Sequence, residues 1–101
     1  MARSKIVWSS LAEIELRDVL EFWVKKNNSA EFSKKIVRLI KQREGLLLNY
    51  PFIGKPTKIE NVRGTLIVYY LLIYKITNER IEVLSFFDTR QNPDRLENKM
   101  P

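Results

Sequence analysis

A chain of 101 residues, 45% apolar and 11% aromatic, holds one domain's worth of sequence and enough apolar side chains for a packed core, which excludes a disordered segment. Eighteen Lys and Arg against twelve Asp and Glu give a formal charge of +6, a bias towards an acidic partner, either nucleic acid or an acidic protein segment. With no Cys and no His, disulfides, thiolate metal sites, cysteine nucleophiles and the Ser–His–Asp triad are excluded, and neither metal nor cofactor is expected.

The opening residues, Met1 to Lys5, have no long apolar stretch behind them, so no secretory signal is expected and the cytoplasm is the expected location. The longest apolar run, Leu66 to Tyr74, falls far short of the roughly 18 residues that span a bilayer and is predicted to be a strand. No repeat or linker divides the chain, so residues 1–101 are expected to form a single domain.

Lys5 to Trp8 predict a short first strand. Ser10 and Glu13 have capping-box spacing, and Leu11, Ile14, Val19, Phe22 and Trp23 then mark an apolar helical face that Lys26-Asn27-Asn28 should end. Ser29 is the predicted cap of a second helix carrying Phe32, Ile36, Leu39, Ile40 and Leu47, which Tyr50-Pro51 stops. Pro51, Gly54 and Pro56 mark turns. Asn61 to Thr65, Leu66 to Ile76 and Arg80 to Phe87 then predict strands, with a turn at Thr77-Asn78-Glu79. The predicted fold is α+β: an N-terminal strand, a two-helix antiparallel hairpin and about three antiparallel strands, with the helices packed on the sheet.

Charge is divided between the helices. Residues 9 to 24 hold four acids and one Arg, net −3, whereas residues 25 to 43 hold seven basic residues and one Glu, net +6. Segregation of this kind creates a directed potential, although a solvated helix face would carry the same pattern.

Several pieces of the chain, taken in order, resemble the RelE/ParE superfamily of toxins from type II toxin–antitoxin (plasmid stabilisation) systems. They are Trp8-Ser9-Ser10-Leu11-Ala12, Leu16 to Trp23, Ala30 with Phe32, Tyr50-Pro51 with Gly54, Val62-Arg63, Tyr70 to Lys75, and Phe87 to Pro93. The resemblance implies a small cognate antitoxin whose C-terminal segment wraps the toxin, with Phe22, Trp23, Phe52 and Phe86 as anchors where exposed. It also implies one of two targets. RelE-like members cut mRNA on the ribosome, whereas ParE-like members poison DNA gyrase without catalysis of their own.

The RelE-like pattern places an Arg where this chain has Leu71, and a Tyr or His after the last strand, where Asp88 to Pro101 has neither. The ParE-like pattern loses less, since Arg63 precedes Tyr70 at the expected spacing. The resemblance therefore implies a gyrase-directed toxin first, a ribosome-dependent, metal-independent endoribonuclease second, and a non-toxic antitoxin-binding member third. If the chain cuts RNA, Arg63 and Arg90 are the expected catalytic cations. Lys55, Lys58, Arg63, Arg90, Lys34 and Lys41 are the candidate nucleic-acid or target-binding residues. Each has a structural alternative. Arg63 would also serve to brace the sheet or a carboxylate such as Glu60 or Asp88, Asp88-Thr89-Arg90 would also form an Asx turn, and Tyr69, Tyr70 and Tyr74 would also serve as core or sheet-surface residues.

Overall fold

The computed structural model describes residues 5–90, so the expected Asn92-Pro93 turn lies outside the described residues. The elements run β1 (Lys5–Trp8), α1 (Ser10–Asn27), α2 (Glu31–Asn49), a 3-10 turn (Pro51–Ile53), β2 (Lys55–Pro56), β3 (Val62–Ile67), β4 (Tyr70–Ile76) and β5 (Arg80–Asp88). The five strands form one sheet in the order β1-β5-β4-β3-β2. β3, β4 and β5 make the expected antiparallel set, and β2 adds a two-residue antiparallel edge. β1, the expected N-terminal strand, lies parallel to β5, which makes the sheet mixed. The helical hairpin carries the chain from the β1 edge to the β2 edge, and β3 and β4 lead it back to β5, a long connection of the kind that parallel pairing needs.

The run Leu66 to Tyr74 is two strands instead of one. Ile67 pairs with Tyr70 across a two-residue turn, Val68-Tyr69. Val68 takes φ 58°, the positive value that the first position of a type II′ turn requires and that glycine usually supplies. β-branched residues rarely adopt it, so the sequence carries no turn signal there. The run is apolar because its residues join a cluster on each face of the sheet. Tyr70, Leu72, Tyr74 and Ile76 belong to the helix-side core with Ile36, Ile40, Leu47 and Phe86. Ile73 joins Val62 and Phe87 in a second cluster, against which Leu71 and Leu84 pack.

Both helix starts are shifted from expectation. Ser9, not Ser10, caps α1: its backbone is extended, its Oγ accepts the Ala12 N–H at 3.0 Å, and its own N–H donates to the Val83 carbonyl at 2.9 Å. The residue that follows β1 is thus the helix cap. α1 ends with Asn28 in the left-handed region, close to the expected stop. Ala30 precedes α2 without a side-chain cap, while Ser29 Oγ accepts the Glu31 N–H at 3.2 Å. A register shift near Ile73/Tyr74 leaves Leu84 out of the β4 pairing, and the Leu84 carbonyl accepts the Ser9 hydroxyl at 3.0 Å. No helix among the described residues is long and apolar enough to cross a membrane.

Candidate functional site

The six candidate residues fall into three separate places. Lys55, Lys58 and Arg63 lie along the β2–β3 edge, Arg90 follows the end of β5, and Lys34 and Lys41 lie on the outward face of α2. Arg63 is paired with Tyr74, and Asp88 with Tyr70. Arg90, two residues beyond Asp88, is therefore roughly 15–20 Å from Arg63 along the strand direction. The two arginines cannot clamp one phosphate together.

At the β2–β3 edge the chain builds a braced loop. The Tyr74 hydroxyl, fully buried, donates to the Pro51 carbonyl at 2.7 Å and accepts the Gly54 N–H at 3.0 Å. Arg63 donates to the carbonyls of Phe52 and Gly54 at 3.0 and 2.8 Å, and its guanidinium lies 5.2 Å from the Phe52 ring centroid. Arg63 thus braces backbone, and neither Glu60 nor Asp88 is its partner. Gly54 is required here, because a Cβ would collide with the Tyr74 hydroxyl and come within 2.9 Å of the Gly64 carbonyl. The brace holds Tyr50, Phe52, Ile53 and Ile59 outward, each at least half exposed, beside exposed Lys55 and Lys58. This apolar group was not predicted. The nearest sequence signal is the aromatic and branched run Tyr50 to Ile53 inside a passage otherwise marked by turn residues.

At the far end of the sheet, Asp88 and Arg90 form a local latch. Asp88 Oδ1 accepts the Arg90 backbone N–H at 2.8 Å, which is the expected Asx turn, and the guanidinium meets both carboxylate oxygens at 3.1 and 3.0 Å. The same guanidinium lies 3.6 Å from the Tyr69 ring centroid, and the Thr89 hydroxyl and N–H both donate to the Tyr69 carbonyl. Burial works to raise the Asp88 pKa, but the hydrogen bonds from Arg90 prevail and hold it below the ordinary carboxylate value. Arg90 is committed to this contact.

The chemistry of RNA cleavage needs a base, a cation on the phosphate and an acid placed together. Leu71, at the position where RelE-like chains carry Arg, is paired with Leu66 on one side and Phe87 on the other, so neither neighbouring strand supplies the missing cation. Tyr70 and Tyr74 share the helix-side core. The Tyr70 hydroxyl accepts the Trp23 indole N–H at 2.5 Å. Burial raises the pKa of both tyrosines, so both stay neutral near pH 7 and neither is poised as a base. Tyr69 sits in the turn under Arg90.

Two apolar features involve α1. Leu11, Ile14 and Phe22 are exposed on its outer side. A groove between α1 and α2 is walled by Leu16, Leu20, Val37 and Ile40 and rimmed by Glu13 and Glu44. Of the four expected anchors, Phe22 and Phe52 are exposed, Trp23 is half-buried, and Phe86 is fully buried in the core and unavailable to a partner.

The profile of the family described as "ParE toxin of type II toxin-antitoxin system, parDE" matches residues 6–93, and the chain belongs to that family. Two solved structures share its fold. A chain of the chromosomal ParDE TA system from P. aeruginosa superposes with a TM-score of 0.69 at 18% identity, over 86% of this chain and 96% of that one. A chain of the E. coli DinJ-YafQ toxin-antitoxin complex superposes with a TM-score of 0.56 at 14% identity, over 88% and 94% of the two chains. No curated protein matches the sequence at a significant level.

Proposed function

We propose that this type II toxin inhibits growth by binding its target, DNA gyrase, without a catalytic step of its own, and that a cognate antitoxin neutralises it. The observation that carries the reading is Leu71, flanked across the sheet by Leu66 and Phe87 at the place where the ribonuclease branch needs an arginine. The wide separation of Arg63 and Arg90, each already bonded within the fold, supports it. The braced loop, with Phe52 and Ile53 held outward between Lys55, Lys58 and Arg63, is the proposed target-binding surface: large apolar side chains anchor, and a cationic rim orients. The groove between α1 and α2 is the proposed antitoxin seat, since an amphipathic segment would cover its apolar walls.

The test is pulse labelling of DNA and protein synthesis after induction of the chain in bacteria lacking the antitoxin. DNA synthesis is expected to stop first. An early fall in protein synthesis would instead point to the ribosome, and no fall in either would point to a non-toxic antitoxin-binding member. Lys55→Ala/Lys58→Ala is expected to relieve the arrest while antitoxin pull-down is retained.

A further inference from the structure

The outward face of α2 meets the groove between α1 and α2 only at Lys41. From Glu31 to Gly45 its exposed residues are Glu31, Lys34, Lys35, Arg38, Lys41, Gln42 and Gly45. Lys34, Lys35, Arg38 and Lys41 form no ion pair among the described residues. Lys34, Arg38 and Lys41 fall on one line, at i, i+4 and i+7, with Lys35 beside it. Lys41 borders the groove that Glu13, Glu21 and Glu44 also line, and Glu31 lies one helical turn before Lys34 and Lys35.

We propose that this stripe binds the phosphate backbone of duplex DNA without sequence preference. Three features select that occupant. First, no apolar side chain is exposed on this face between Glu31 and Gly45. A protein partner needs a desolvated apolar centre, whereas a phosphate backbone needs only cations. Second, the face presents no aromatic ring, so single-stranded bases have nothing on which to stack. Third, Lys34 to Lys41 covers about 10 Å of helix axis, close to three base-pair steps of about 3.4 Å. Gly45 continues the same line, and a Cβ there would meet nothing within 4 Å. The helix keeps a poor helix former at a site where packing does not demand it, and the stripe ends in a notch open to a close-approaching backbone.

The proposal stands apart from the gyrase reading, because binding is measured on the isolated full chain. Fluorescence anisotropy with a labelled duplex of arbitrary sequence, titrated with salt, supplies the readout. Three or four phosphate contacts predict a slope of log K against log salt of about −3 to −4. Lys34→Gln/Lys35→Gln/Arg38→Gln is expected to weaken binding at least tenfold at low salt and to flatten the slope by about 3. Lys5→Gln/Arg17→Gln/Lys75→Gln removes equal charge elsewhere and should leave the slope within about 1 of the parent. Far-UV circular dichroism confirms that both variants fold. Equal losses in the two variants would overturn the proposal, since binding would then follow total charge alone. Tighter binding of single-stranded RNA than of the duplex would also overturn it, as would binding of a poly-glutamate peptide with no binding of the duplex.

Discussion

The Tyr74 hydroxyl is fully buried and ties two backbone groups of the loop to the sheet. Tyr74→Phe keeps the ring but leaves the Pro51 carbonyl and the Gly54 N–H without that partner. A loss of about 1–3 kcal/mol in urea-unfolding free energy is expected. Asp88 acts differently, because its contribution depends on its charge. Its pKa is lower folded than unfolded, so its stabilisation is fully present above the unfolded value of about 3.9 and is lost as pH falls through the folded value. Arg90 is half exposed, which keeps the ion-pair share of that stabilisation small. Asp88→Asn should therefore cost about 1 kcal/mol at pH 7, and the gap from the parent should close as pH falls below 4, measured as unfolding midpoints across that range.

Elements were legible in the sequence wherever periodicity was strong, and their edges were not. Both helices and the three long strands follow apolar spacing that tertiary packing only confirms. The Val68-Tyr69 turn is not legible in the sequence because a branched residue occupies a position that glycine usually takes, with apolar strands on either side. The α1 cap lies one residue earlier than expected because hydrogen bonds from Ser9 to β5, invisible in sequence, hold that serine between β1 and the helix. The candidate cations were identifiable as residue types, but their grouping was not. Register alone places Arg63 and Arg90 at opposite ends of the sheet, and only packing shows that both are occupied. Within α2, Gly45 has open space around it, so Gly45→Ala should stabilise the helix by about 1 kcal/mol, seen as a higher thermal midpoint. An unchanged or lower midpoint would mean that the helix responds to more than propensity there.

Across the whole molecule, β5 and β4 lie inside the sheet, while β1 and β2 are its edges. Amide hydrogen exchange should therefore be slowest in β4 and β5, at the rate of global unfolding, and fastest among strands in two-residue β2. Exchange in β4 as fast as in β2 would show that the sheet does not open from its edges. The proposed surfaces follow the same division by region: an apolar groove in the helical layer, a braced apolar and basic loop at one sheet edge, and a basic stripe on the outer helix.

The parallel pairing of β1 with β5 sets a schedule for synthesis. Lys5 pairs with Arg80, so β1 has no partner until β5, 75 residues further on, has been made. At roughly 5–20 residues per second, that wait is about 4–15 s. During it, the apolar faces of both helices lack the sheet that will cover them, and Ser9 lacks the strand that completes its cap. Any surface that depends on the finished sheet, including the loop braced by Tyr74, forms only near the end of translation. The proposed surfaces are thus complete only once β5 closes the fold.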